Sequence, residues 1–438
     1  MKVKDRGVYS TAITKILVDA GIEITQAADA IKEVFKISSE DRPDVVIEDI
    51  ESREGVYIFG TGAKTVVDVI KKQLEFSIFY KEEVGKIYCG IIKNVDQKSQ
   101  SIVISLPDNE EGTLDMKSFW GYVKQGSKLL VQAKGSYDGK IMLSNQLRLF
   151  GDDVILIKNG FTKISRGIRS SEGKDKLYEI AKGLNLKDWG ILWMQGAEDK
   201  DESTLKDELL KLQDEEKRIS ADFEKATEPS VIYQGLDKYF VLVSRDDKYK
   251  LDEIRSKAMP TVKGHHSLKS AGYTILTDLA ETMLDKYSEG ELVSKIGAVL
   301  SRYGPIKDKM YRLNFARLNG TSFKVDGIIR DMQVENNEVK SITLASSGSW
   351  DEKIYQISAD REYMIIKRGD SEERMLVLKP EIFPKFAKFI TMDIYSKREN
   401  GEVTVKNEDR LKKLADKGEI SKELFSELEK PLKELREI

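Results

Sequence analysis

Val84-Gly85-Lys86-Ile87-Tyr88-Cys89-Gly90-Ile91-Ile92-Lys93-Asn94-Val95 is a run of β-formers broken twice by glycine. β-Branched and aromatic residues suit a pleated, half-buried surface, and a period of two starts here. Residues 101–106, 128–133 and 140–143 continue it, with Asp108-Asn109, Gly112 and Gly126 as punctuation. Short strands with turns every 8–12 residues or so predict a small closed barrel.

Upstream the pattern is α/β. Ile13, Ile16, Leu17 and Ala20 recur at helical spacing, and Gly21 ends the run. Thr25 is expected to cap a second helix through Ile31, Val34 and Phe35. Residues 45–47 and 56–59 read as strands before a helix through Val66, Val67, Ile70 and Leu74. Downstream, strands at 153–157 and 189–194 flank a helix at 174–181. A long helix from Ser203 then lines up Leu205, Leu209, Leu212 and Ile219. A strand at 239–243, a helix starting at Leu251 and another over 278–286 follow. The last ~120 residues return to strands and end in helices, with Asn400-Gly401 as a hairpin signal and Ser421 as a cap. The expected fold class is α+β and multidomain. An N-terminal α/β piece (1–80) precedes an inserted small barrel (81–148), an α/β segment (149–226), a helical connector (227–318) and a C-terminal small β-barrel with terminal helices (319–438).

Composition narrows the function classes. Lys plus Arg is 72 and Asp plus Glu is 75 in 438 residues, so the net charge is −3 and polyanion contact must come from local clusters. An apolar fraction of 40% is too high for a disordered chain. Cys89 stands alone, which excludes an internal disulfide and fits a reducing cytoplasm. Heavy Lys and Glu use with 8 prolines fits a thermophile. No run of about 18 apolar residues offers a membrane span, and the first residues lack a signal-peptide core.

Residues 84–95 carry a G-x-I-Y-x-G-x-I pattern that resembles the opening strand of the OB-fold RNA-binding domain of bacterial RNase E and RNase G. Ile164-Ser165-Arg166-Gly167-Ile168 and Gly190-Ile191-Leu192-Trp193 resemble that family's 5′-end-sensing segment. Arg6-Gly7-Val8-Tyr9-Ser10-Thr11-Ala12, Lys263-Gly264-His265-His266-Ser267-Leu268-Lys269 and the strand-rich end complete an order of parts similar to the archaeal RNase E/G-like, AU-rich-RNA-binding family. Residues 389–395 and 402–421 are also similar to the barrel of FomD and of nucleoside tri- and diphosphatases. The resemblance implies an RNA-binding protein with endoribonuclease activity, a phosphoester hydrolase acting in rRNA precursor processing or RNA turnover. Its partner would be AU-rich single-stranded or loop RNA, with no membrane and with a homo-oligomer compatible. The alternatives are a metal-dependent hydrolase of RNA 5′-triphosphates or nucleotides at the terminal barrel, and a non-catalytic RNA binder. Three departures stand out. Nothing between Ile219 and Pro260 matches the paired-Asp strands of RNase E. Met194-Gln195 replaces the sensor's Arg-Thr. The terminal row of Asp is reduced to Asp393, beside Thr391, Tyr395 and Asn407.

Three groups of residues could carry the chemistry. Lys86, Lys93 and Lys128 lie among Tyr88, Phe119 and Trp120, and lysine with exposed aromatics grips unpaired bases electrostatically and by stacking. Arg166 joins them through the resemblance. The competing role for the aromatics is core. His265 and His266, the only histidines, have the ordinary pKa for proton transfer in a 2′-hydroxyl attack, with Lys269 to neutralise phosphate. Asp278 or Glu281 could orient a histidine, and a structural loop is the competing role. Asp393, Glu408 and Asp409 could hold Mg2+ or Mn2+ if they converge, or be solvated charge.

Overall fold

The computed structural model describes residues 1–437 apart from 83, 120, 122, 138–139, 166–167, 169, 184–185, 187, 236, 336–337, 348–351 and 400–401. The chain is a mixed α/β protein of two compact units, residues 1–82 with 237–438, and residues 83–236. Trp120 and Arg166, two of the expected RNA contacts, lie outside the described residues, as does the Asn400-Gly401 turn.

In the first unit a six-stranded sheet runs Glu23–Ile24, Lys2–Asp5, Val45–Asp49, Gly55–Gly60, Lys238–Leu242, Ile78–Glu82. Lys238–Leu242 pairs antiparallel with both neighbours, Phe240 opposite Tyr57 and Tyr80, so the sheet closes its gap only after a long excursion of the chain. Helices Ser10–Asp19, Ala63–Lys71 and Arg245–Ser256 bury Ile13, Leu17, Val66, Ile70 and Leu251 against it. Gly7 fits because its φ is +123° and a Cβ there would sit 2.2 Å from Asp49 Oδ1. That carboxylate accepts from Val8 N at 3.0 and 2.9 Å and fixes the turn into the first helix.

Two local expectations are corrected. Thr25 does not cap the second helix, which runs Asp29–Phe35 behind Ala28. Its hydroxyl donates to Asp41 O at 2.7 Å instead. The helix expected from Leu251 begins at Arg245, because Ser244 Oγ accepts from Asp247 N at 3.1 Å.

The same unit ends in a seven-stranded closed barrel. Met310–Arg317, Ser322–Glu335, Glu338–Ser347, Glu352–Ser358, Tyr363–Arg368, Ser371–Val377 and Phe386–Glu399 follow in order, and the last pairs in parallel with the first. Leu313, Phe315, Ile342, Leu344 and Phe389 fill it. Helices Asp409–Asp416 and Lys422–Glu434 bury Leu411, Leu414, Leu424 and Leu428, and Ser421 caps the second as expected.

The second unit holds a five-stranded closed barrel. Val84–Asp96, Ser101–Ser105, Glu111–Asp115, Lys140–Ser144 and Lys128–Tyr137 follow in order, and the last returns to the first. Glu111–Asp115 and Lys140–Ser144 pair in parallel, Ile141 opposite Gly112. This closure fits an OB barrel. Its core is Ile92, Ile102, Ile104, Leu114, Val131 and Leu143. A four-stranded sheet, Arg148–Phe150, Val154–Lys158, Trp189–Trp193, Lys163–Ile164, completes the unit with helices Ser171–Lys182 and Glu202–Lys225. Leu205, Leu209, Leu212 and Ile219 of the long helix face its core, as their spacing predicts. Among the described residues no helix is long and apolar enough to cross a membrane.

Candidate functional site

The small barrel separates the lysine–aromatic set into groups with different jobs. Tyr88 is buried in the barrel core and Phe119 packs partly against it, so neither ring is a free platform. Lys86 lies over the Tyr88 ring at 5.4 Å. Lys128 Nζ donates to Phe223 O and Glu224 O, both at 3.0 Å, and sits over the Phe223 ring at 4.7 Å. It thereby caps the C-terminal carbonyls of helix Glu202–Lys225, where a cation is favoured. Lys93 is exposed and pairs with Glu111. Lys98, Lys124 and Lys134 are exposed too. The barrel's electrostatic surface therefore lies with these outward lysines.

Helix His265–Ser270 carries the histidine pair. It starts at Gly264, whose φ of +88° lets the chain turn so that Gly264 N donates to Asp252 Oδ2 at 2.7 Å. Each ring has its own carboxylate. His265 Nδ1 lies 2.7 Å from Glu281 Oε1, and His266 Nδ1 lies 2.6 Å from Asp252 Oδ1. Arg255 holds Glu281 with two contacts of 2.9 and 3.1 Å. Tyr9 stacks on His266 with ring centres 5.5 Å apart, and donates its hydroxyl to Arg53 O at 2.8 Å. His265 is 2% and His266 0% exposed, which denies an RNA hydroxyl direct access to either ring. Burial lowers His266 to about 4 despite Asp252, and lowers His265 as well. Both rings are neutral near pH 7. Lys269, the third member of the expected set, pairs with Asp278 at 2.5 Å. In place of the structural loop weighed as the competing role the pair sits on a helix, and of the two acids named beforehand Glu281 orients a histidine while Asp278 holds the lysine.

Beside this helix lies an ion network that the sequence did not signal. Lys248 is fully buried, and its Nζ donates to Glu54 Oε2 at 3.0 Å, to Ser270 Oγ at 3.3 Å and to Glu381. Lys388, also buried, donates to Ser270 O at 3.0 Å and pairs with the other oxygen of Glu54. Burial works against the charge on Lys248, but Glu381 and Glu54 outweigh it and hold this lysine well above its ordinary value. At Lys388 burial wins and the value falls. Two acids and two lysines cancel in charge, which is the condition for keeping four ions out of water. The network ties the loop after Val45–Asp49, helix Arg245–Ser256 and the terminal barrel together. Its Lys388 and Glu54 line a cleft of about 280 Å3, walled also by Glu51, Asn314, Ser322 and Lys324.

The terminal-barrel carboxylates do not converge. Asp393 lies between two guanidiniums, Arg317 Nε at 3.7 Å and Arg410 Nη1 at 3.4 Å. Asn407 Nδ2 donates to Asp393 O at 2.9 Å, and Asp393 N donates to Thr391 Oγ1 at 3.1 Å. Glu408 pairs with Arg436, and Asp409 with Lys413 at 2.7 Å. Among the described residues no three His, Cys, Asp or Glu side chains are grouped to hold a metal ion. A divalent ion does not fit a carboxylate flanked by two arginines. Arg317 and Arg410 escaped the sequence reading because a lone Asp on a strand gives no sign of what faces it.

Comparison with known proteins bears on the whole chain. The profile of the Ribonuclease E/G family matches residues 149–271, a segment that ends with the histidine helix. A protein of Pyrococcus horikoshii named probable ribonuclease FAU-1 is 27% identical over 100% of this chain and 98% of its own length. One of the same name from Thermococcus gammatolerans is 29% identical over 97% of this chain and 96% of its own. Another, from Sulfurisphaera tokodaii, is 29% identical over 68% of this chain and 63% of its own. The resemblance to the archaeal RNase E/G-like family therefore spans nearly the whole chain.

Proposed function

From this likeness to the ribonuclease E/G family and to archaeal probable ribonucleases, we propose that the chain is an RNA-binding protein with endoribonuclease activity. The observation that carries the reading is the end-to-end alignment with proteins named as ribonucleases, together with a closed five-stranded barrel in the place where the sequence predicted one. Small barrels with outward lysines bind flexible single strands along their backbones. Lys93, Lys98, Lys124 and Lys134 supply that charge here.

We infer that the preferred target is AU-rich single-stranded or loop RNA, ribosomal RNA precursors among them. Weak pairing makes such segments cheap to open, and unpaired bases can be splayed and read. Work in a reducing cytoplasm would suit the lone, buried Cys89. The buried histidines are positioning residues in this reading. Each holds one end of a carboxylate pair that orders helix His265–Ser270, and neither meets RNA.

The test uses purified protein with one transcript labelled internally and, separately, at its 5′ end, in Mg2+ or in EDTA. Internal cuts that appear with protein support the reading. Loss of only the 5′ γ-phosphate would favour the phosphohydrolase alternative, and an unchanged transcript that still shifts in a gel would reduce the protein to a binder. His265→Gln is expected to lower thermal stability and activity together, whereas a catalytic histidine would lose activity alone.

A further inference from the structure

The outer face of the terminal barrel carries a row that lies outside the segment matched by the family profile and outside the expected sites. Met310–Arg317 has Ser322–Glu335 on one side and Phe386–Glu399 on the other. Their register sets Lys388, Asn314 and Lys324 directly side by side on three adjacent strands. Alternate residues of these strands, Leu313, Phe315 and Phe389, point into the barrel core, so the row faces outward. It does not face open solvent but lines the cleft of about 280 Å3 closed on its far side by Glu51, Ser52 and Glu54.

The chemistry of the row is that of a phosphate cradle. Lys388 is 4% exposed and lies at the cleft wall, held there by Ser270 O and Glu54. Lys324 is exposed and has no hydrogen bond or ion pair among the described residues. Between them the Asn314 amide has its Oδ1 buried without a partner. An amide so placed can turn either end toward a ligand, since its two ends differ little in shape. Ser322 adds a hydroxyl, and Arg312 stands at the edge in an exposed pair with Asp326 at 2.6 Å. The acids nearby must be counted. Glu54 has a lysine on each oxygen, and Asp326 is matched by Arg312. Glu51, exposed at the mouth, is matched by no ion pair among the described residues.

We propose that this cleft binds a phosphate group of a ribonucleotide chain on the Lys388–Asn314–Lys324 row, as a second RNA contact separate from the small barrel. It rests on the RNA reading above, and the experiment separates the two. One short single-stranded oligoribonucleotide is prepared with a 5′-phosphate and with a 5′-hydroxyl, and 5′-AMP serves as competitor. Binding is read by filter retention for the wild type, Lys324→Glu and Glu51→Gln.

Lys324→Glu should weaken binding by about fivefold or more, since a phosphate contact becomes a like-charge clash. Glu51→Gln should tighten it about two- to threefold, by removing a like charge at the mouth. A preference for the 5′-phosphate with competition by 5′-AMP assigns the row to a terminal phosphate. Equal binding of both oligonucleotides, with the same response to the variants, assigns it to an internal phosphodiester. Wild-type binding with both variants unchanged overturns the cleft and leaves the RNA reading standing. No wild-type binding at all overturns both. Should Lys324→Glu fold poorly, Glu51→Gln, an exposed and charge-removing change, decides alone.

Discussion

The two closed barrels of this protein solve opposite problems with similar residues. In the small barrel of residues 84–144 Tyr88 turns inward and Phe119 packs partly against the same core, and the ligand-facing charge is left to lysines on the outside. In the terminal barrel Asp393 is half-buried between two guanidiniums and Glu408 and Asp409 pair with Arg436 and Lys413, while the polar face of interest is a cross-strand row beside a buried ion network. Residue type told neither story. Strand parity placed Tyr88 in one core and the Lys388–Asn314–Lys324 row on the outside of the other barrel, because side chains alternate and a one-position change of face reverses every role.

The comparison breaks most visibly if the ion network is cut. Lys248→Met removes the cation shared by Glu54 and Glu381 and leaves Glu381 buried beside a depleted partner set. A loss of about 3–5 kcal/mol is expected in the unfolding transition of the unit formed by 1–82 and 237–438, measured by urea titration. The transition of the 83–236 unit should stay in place. In the small barrel Tyr88→Ala should cost about 3 kcal/mol of that unit's stability. RNA affinity of the folded fraction should change little, because the ring is core. A Tyr88→Ala protein of full stability and lost affinity would restore the aromatic platform.

The pH response sharpens the contrast between buried groups. Burial holds His266 at about 4 rather than 6.5, so between those values the unfolded chain takes the extra proton and acid favours unfolding. Burial raises Asp247 to about 6 from 3.8, so over much of the same window the folded chain takes the proton and acid favours folding. The two slopes oppose. Asp247→Asn keeps an oxygen to accept from Phe76 N and Ser77 Oγ, and removes only the second slope. Its stability should therefore fall by about 2 kcal/mol more than that of the wild type between pH 7 and pH 4, followed by thermal melts at each pH. A smaller effect belongs to the outward lysines. The triple change Lys98→Ala, Lys124→Ala and Lys134→Ala should leave melting within about 1 kcal/mol, and flatten the log–log salt dependence of RNA binding by about 2.

Much of the fold could be read in advance where one periodicity rules a segment. Leu205, Leu209, Leu212 and Ile219 pointed to the buried face of helix Glu202–Lys225, and the strands at 101–106 and 128–133 pointed to barrel closure. The site was harder, because its members are far apart in sequence. Glu281 was within reach of the reading as a partner for a histidine, being on the next helix. Asp252, Lys248 and Glu54 were not, since an acid or lysine on a helix or in a turn looks wet until packing buries it. The row of Lys388, Asn314 and Lys324 depends on the pairing register of three strands, which no local pattern encodes.

Every role given to the outward lysines requires attraction between the chain and flexible polyanions. The direct measurement is the affinity of the full chain for an unpaired AU-rich oligoribonucleotide across a series of salt concentrations. Association at physiological ionic strength, weakening along a straight log–log line of slope near −2 or steeper, is the expected result. An affinity that is absent, or that ignores salt, contradicts the account.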